Sequence, residues 1–66
     1  MTRQELGAKI IGLTPEEANA LAKTHGFKVM EIESDGASLV HIANYDGKRA
    51  KVSTVGGKID YVVCWG

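Results

Sequence analysis

A capped helix start followed by three tight-turn dipeptides limits what this chain can fold into. Thr14 is a hydroxyl N-cap, Pro15 fits the first helical position, and Glu17 lies at N3, where its carboxylate can reach back to the cap. The helix is therefore predicted to begin at Pro15. Beyond it, strand-like segments are separated by three dipeptides that tolerate positive φ: Asp35-Gly36, Asp46-Gly47 and Gly56-Gly57.

The predicted helix extends from Pro15 to about His25. Its apolar stripe follows spacings of three and four residues and consists of Ala18, Leu21, Ala22 and His25. Gly26 fits the left-handed position that ends helices. Because the stripe is thin and rich in alanine, we expect the helix to pack closely against a sheet. Residues 1–9 are polar and weakly patterned.

Three or four strands are predicted after the helix. Residues 27–33 and 39–45 are strand candidates whose buried face the pattern does not settle, whereas residues 49–54 alternate clearly. In the last segment one face is predicted to carry Ile59, Tyr61, Val63 and Trp65. The last two segments are predicted to form an antiparallel hairpin. The result is an α+β fold, with one helix packed on a small mixed or antiparallel sheet.

The length and charge of the chain narrow the classes of function. Sixty-six residues form a single domain, 1–66, and a chain of this size buries only about 60% of its unfolded surface. Eight basic and eight acidic side chains cancel, so no one-signed field attracts nucleic acid, and a nucleic-acid partner is not expected. Dimerisation is a realistic way for so small a domain to bury more area.

Cysteine content and hydropathy indicate the compartment. Cys64 is the only cysteine, so an internal disulfide cannot form, and we interpret it as a small buried apolar residue. The sequence has no signal-peptide pattern and no apolar run long enough to span a membrane. We therefore predict a cytoplasmic protein without membrane association, unless a leader has been removed.

Several short segments together resemble one known family. They are residues 13–18 (LTPEEA), 27–29 (FKV), 45–52 (YDGKRAKV), 57–59 (GKI) and 63–66 (VCWG). In this order they are similar to the potato inhibitor I family of serine protease inhibitors and its small bacterial relatives. The similarity covers most of the chain, and no single motif in it is diagnostic.

The resemblance implies a function and a set of site residues. Members of the family place a helix on a small mixed sheet and expose an extended loop, which here would span about residues 34–48. The implied protease-binding loop consists of His41, Ile42, Ala43, Asn44 and Tyr45. The bond between Ala43 and Asn44 is the candidate scissile bond, and an alanine before it suits a small specificity pocket. A serine protease is then the expected partner.

The resemblance also implies residues that support the loop. Arginines from the following strand bond to the loop in this family, and Arg49 matches one such position. Lys51 stands where a second arginine is expected, and a lysine cannot supply the planar two-pronged contact. Bacterial relatives often pair a C-terminal cysteine with an N-terminal one. Cys64 fits the former, and the chain has no partner for it.

The residues also fit other interpretations. Asp35-Gly36 and Asp46-Gly47 flank residues 39–45, as two hairpin turns of a four-stranded antiparallel meander would. The alternative function is a noncatalytic protein-protein interaction module or regulator on the same small α+β scaffold, possibly a homodimer, that binds through the loop or an exposed sheet edge.

Catalytic and metal chemistry find little support. His25, His41 and Cys64 match no zinc spacing, so no metal and no cofactor is predicted. Alternation puts Glu31 and Glu33 on one strand face, where we expect them to be solvated. No nucleophile, base and orienting group can be assembled, and we predict that the protein is not an enzyme.

Overall fold

The chain folds into two helices and one sheet. The computed structural model describes residues 1–39 and 45–66. Its helices are α1 (Arg3–Ile10) and α2 (Pro15–Lys23), and its strands are β1 (Lys28–Ser34), β2 (Ala37–Ser38), β3 (Arg49–Val55) and β4 (Lys58–Trp65). The predicted α+β class is confirmed.

The sheet is mixed. Its strand order is β2-β1-β3-β4, with β1 antiparallel to β2, β3 antiparallel to β4, and β1 parallel to β3. The predicted C-terminal hairpin is confirmed. The alternative of an antiparallel meander is wrong, because β1 and β3 are neighbours that run in the same direction.

Helix α2 begins where the sequence predicts. The Thr14 hydroxyl accepts the Glu17 amide at 3.2 Å, and the Glu17 carboxylate accepts the Thr14 amide at 3.0 Å. The hydrogen bond from the Thr14 amide is the main reason why the pKa of Glu17 is lowered. Gly26 has a φ of 78° and ends this segment. His25 is exposed, so its predicted place in the apolar stripe is wrong.

Helix α1 is an element that the sequence analysis did not predict. Thr2 and Glu5 form a second reciprocal cap, with the Glu5 amide 3.1 Å from the Thr2 hydroxyl and the Thr2 amide 2.9 Å from the Glu5 carboxylate. Leu6 and Ile10, four residues apart, are both completely buried. Neither described helix has the length and apolarity needed to cross a lipid bilayer.

One hydrophobic core joins both helices to the sheet. Its buried members are Leu6 and Ile10 of α1, Ala18 and Ala22 of α2, and Phe27, Ala50, Val52 and Ile59. Since Ala50 and Val52 are two residues apart on β3, they point to the same face of the sheet. The alanines of α2 let that helix approach closely, as its thin stripe predicted.

The pairing of β4 with β3 contains two register shifts. As a result Val62, rather than its neighbours, packs against the core, while Tyr61 and Val63 are exposed. The prediction that Tyr61 and Val63 share a face with buried Ile59 is therefore wrong. Each shift inserts an extra residue into the strand and breaks the two-residue alternation.

Candidate recognition site

The parallel pairing of β1 and β3 forces a crossing connection. A chain that leaves the end of one strand must return to the end at which that strand began before it can enter a parallel neighbour. Residues 35–48 make this crossing, and the predicted protease-binding loop falls within it. Of that loop, His41, Ile42, Ala43 and Asn44 lie outside the described residues, and Tyr45 is described.

The departing end of the crossing, residues 35–39, is hydrogen-bonded to β1. Asp35 and Gly36 have φ values of 50° and 83°, so the predicted turn is confirmed as one with two positive φ angles. Residues 37–38 then pair with β1, and the Leu39 amide donates to the Ile32 carbonyl at 2.8 Å. The described strand here is β2, which ends before the predicted 39–45 segment.

The returning end of the crossing, residues 45–48, is held in place by contacts of Asp46. Its backbone carbonyl accepts the Arg49 amide at 3.0 Å, and its carboxylate accepts the Lys48 amide at 2.9 Å. The other carboxylate oxygen lies 3.0 Å from the Lys28 ammonium on β1. The Lys48 amide first, and Lys28 second, lower the pKa of Asp46. A turn at Asp46-Gly47 is confirmed, but neither residue has positive φ, and the turn leads into β3 and closes no hairpin.

Tyr45 lies close to Arg3 at the start of α1, to Gly47 and to Gly66. Its hydroxyl is 3.4 Å from Nη2 of Arg3, and Cζ of Arg3 is 5.7 Å from the centre of the Trp65 ring. A Cβ at Gly66 would be 3.4 Å from the Tyr45 ring, and one at Gly47 would be 3.2 Å from the Tyr45 hydroxyl. These contacts bring Arg3, Gly47 and Gly66 next to Tyr45, with Trp65 on the other side of the Arg3 guanidinium.

Arg49 lies behind the returning end. It is 7% exposed, its Nε donates to the Gly66 carbonyl at 2.8 Å, and the Gly66 amide donates to the Arg49 carbonyl at 3.0 Å. Lys51 is half-buried, two residues further along β3, and therefore points to the same face. Their predicted support of residues 41–44 concerns atoms outside the described residues and stays a prediction.

The other candidate residues are dispersed. Cys64 is an exposed free thiol, so its interpretation as a buried apolar residue is wrong. His25 is exposed, and His41 lies outside the described residues. Within residues 1–39 and 45–66, no three His, Cys, Asp or Glu side chains come together as metal ligands would.

Glu31 and Glu33 do not share one solvated face. The register of β1 against β3 shifts between them. The buried Thr54 hydroxyl donates to Glu31, whereas the exposed Tyr61 hydroxyl donates to Glu33 at 3.2 Å. The prediction of a common face is wrong, because the shift interrupts the alternation on which it depended.

Sequence reasoning missed the role of the Asp46 side chain and the contributions of Arg3 and Gly66 to this site. Asp46 was recognised as a turn residue, and an Asp before Gly is also the usual signal for a side chain that accepts a nearby backbone amide. Arg3 and Gly66 reach the site from positions distant in sequence. Contacts of that kind leave no local pattern in the sequence.

Comparisons with protein-family models, with curated proteins and with solved structures give no match. The surface of the described residues also contains no pocket. The candidate recognition site is the crossing, whose described ends are both fixed to the sheet.

Proposed function

We propose that this chain is a small serine protease inhibitor that offers residues 41–45 to a protease as a substrate-like loop. The supporting observation is the parallel pairing of β1 and β3, with the crossing held at Leu39 on one side and at Asp46 on the other. In this proposal Ala43 precedes the scissile bond and enters the specificity pocket.

Fixed ends favour inhibition for two physical reasons. A segment whose ends are already held has fewer conformations to lose when it binds, so less of the binding energy is spent on ordering it. After cleavage, one new end would remain attached through the β1–β2 hairpin and the other through Asp46. The acyl-enzyme would then be reversed by the retained amine more often than it is hydrolysed.

Ala43 defines the class of target in this proposal. A methyl side chain fits a small specificity pocket. In a pocket that contains a buried acidic residue, it would leave that residue without a partner. Elastase-like and subtilisin-like proteases are therefore the expected partners. Arg49 and Lys51 are proposed to support the loop from β3, which agrees with the burial of Arg49 at the returning end.

The test is a change of specificity at one residue. The wild-type protein should inhibit an elastase-like protease and stay largely intact. Ala43→Arg should lose this inhibition and gain inhibition of a trypsin-like protease, whose pocket carries an aspartate. Ala8→Arg, on the exposed surface of α1, adds the same charge elsewhere and should change neither. Unaltered protease turnover at a large molar excess, with the protein degraded, would reject the proposal.

A second candidate function is a noncatalytic interaction module. Strand β4 is one of the two edge strands of the described sheet, and Tyr61 and Val63 are 48% and 40% exposed on it. Such an edge can add a strand from another protein or from a second copy of this chain. Sedimentation should then show a complex that Val63→Lys disrupts and Ala43→Arg leaves intact. Under the inhibitor hypothesis, Ala43→Arg abolishes binding to an elastase-like protease and Val63→Lys leaves that binding unchanged.

We further propose a cytoplasmic location. Cys64 is exposed and unpaired, and free thiols of this kind persist best in reducing compartments. Fractionation of the producing cell tests this, and recovery of the protein outside the cytoplasm would reject it.

A further inference from the structure

We propose that Arg3 is a positioning residue that holds Tyr45, and that the lifetime of a protease complex depends on the contact between these two residues. The inference rests on the proposed inhibitory function and goes beyond it, since it assigns a role to the N-terminal helix. Neither the resemblance to a family nor the turn pattern singles out Arg3.

Tyr45 needs a specific contact to fix its direction. Its side chain is 73% exposed, so burial of apolar surface contributes little to holding it. The guanidinium of Arg3 lies between two aromatic side chains, 3.4 Å from the Tyr45 hydroxyl and 5.7 Å from the centre of the Trp65 ring. The attraction of the cation to the indole ring favours this arrangement, and a long hydrogen bond from the guanidinium to the Tyr45 hydroxyl adds to it.

Arg3 is itself held by a well-formed helix start. It is the first residue of α1, directly after the Thr2 cap that Glu5 completes. Leu6, one turn later, is fully buried in the core. The base of the Arg3 side chain is therefore fixed to the folded domain, and the contact connects the returning end of the crossing to that domain.

Gly47 supplies a way to break the contact without altering either partner. A Cβ at Gly47 would lie 2.6 Å from Nη2 of Arg3 and 3.2 Å from the Tyr45 hydroxyl. The backbone of Gly47 does not have positive φ, so alanine is disfavoured there only by these side chains. Since the Arg3 guanidinium ends a flexible side chain, Gly47→Ala should displace it at little cost in stability.

The contact should act on the survival of the complex more than on its formation. Tyr45 directly follows residues 40–44, on the side that carries the amine after cleavage. If Tyr45 can move, this amine leaves the position from which it re-forms the bond, and water completes hydrolysis more often. Encounter with the protease does not require that amine, so the association rate should stay the same.

The experiment compares the lifetimes of complexes with an elastase-like protease. Arg3→Gln, Tyr45→Phe and Gly47→Ala should each shorten the lifetime about three- to tenfold, the range expected for an exposed contact of this kind. The double variant Arg3→Gln/Tyr45→Phe should resemble the single variants, because both remove the same contact. Lys9→Gln, which removes a charge from the exposed last turn of α1, should have no effect. Equal thermal unfolding midpoints exclude general loss of structure.

The outcomes separate this inference from the proposed function. If the wild type inhibits and the three variants have the wild-type lifetime, the positioning role is overturned while the function stands. If the wild type does not inhibit, the proposed function fails, and the contact is judged by how fast the protease cuts the chain between residues 39 and 46. Cutting that is three- to tenfold faster in all three variants supports the positioning role, and equal cutting overturns it.

Discussion

The carboxylate of Asp35 accepts a hydrogen bond from the backbone amide of Gly56, with 2.9 Å between Oδ1 and the nitrogen. Asp35 lies in the turn between β1 and β2, and Gly56 lies in the turn between β3 and β4. The Asp35 amide also donates to the Thr54 carbonyl at 2.9 Å. The two hairpin turns are thus joined at the C-terminal end of strands β1 and β3, where the crossing departs.

Replacement of Asp35 tests this junction. Asp35→Ala removes the acceptor and places alanine at a φ of 50°, so the free energy of unfolding should fall by about 1–3 kcal/mol. Asp35→Asn keeps an acceptor oxygen and tolerates the left-handed conformation, so its loss should be below about 0.5 kcal/mol. Urea unfolding measures both, and equal losses for the two variants would contradict the assignment.

Arg49→Lys should show that the geometry of the guanidinium matters as well as its charge. Nε of Arg49 donates to the Gly66 carbonyl in a buried position, and a lysine has no donor at that place along its side chain. We expect a loss of about 1.5–3 kcal/mol in the free energy of unfolding, as for a hydrogen bond from a charged group. Lys58→Arg, the reverse exchange at an exposed position of the neighbouring strand β4, serves as a control and should cost less than about 0.5 kcal/mol.

Helix α1 should be essential to the fold despite its short length. Leu6 is fully buried, and Leu6→Ala should lower the free energy of unfolding by about 2–5 kcal/mol. For a domain of this size such a loss is a large part of the total stability. Leu39→Ala, at a position that is 39% exposed, is the matched control. Circular dichroism during thermal unfolding compares them, and similar midpoints would show that α1 contributes little.

Local signals predicted the parts of the fold that local interactions determine. The start of α2 and the turn at Asp35-Gly36 each follow from residues within four positions of one another, and both are confirmed. The same kind of signal was present at Thr2 and Glu5 and was missed. Leu6 and Ile10 are the only buried residues of α1. Its apolar pattern was therefore too short to recognise, and the helix is stabilised by tertiary packing.

Long-range pairing could not be predicted in the same way. Asp46-Gly47 is equally compatible with a hairpin and with a turn that enters a parallel strand, and the choice depends on how β3 pairs with β1. The register shifts in β4 are likewise settled by its partner strand. The contact of Arg3 with Tyr45 joins residues that lie far apart in the chain, so the candidate site became visible only in three dimensions.

Cys64 should behave as an accessible thiol in the folded protein. It is exposed and unpaired, and reactivity of a thiol requires access as well as ionisation. One equivalent should react with Ellman's reagent in the absence of denaturant. The Cys64→Ser variant supplies the blank, and a thiol that reacts only after urea is added would contradict the observed exposure.

Asp46 should make stability depend on acid in a defined direction. Its hydrogen bond from the Lys48 amide and its ion pair with Lys28 lower its pKa in the folded protein, whereas the pKa of an aspartate in the unfolded chain is about 3.9. The unfolded state therefore binds the proton first as pH falls. The stabilising contribution is complete above about pH 5 and is lost as pH falls through about 4 to below the folded pKa.

The Asp46→Asn variant isolates this contribution. It lacks the titrating group but retains Glu5 and Glu17, whose pKa values are also lowered by their cap hydrogen bonds, so their effects cancel in the comparison. The wild type should be the more stable protein at pH 7, and the difference in the free energy of unfolding should shrink below about pH 4. A difference that stays constant from neutral to strongly acidic pH would mean that the Asp46 charge does not hold the returning end of the crossing.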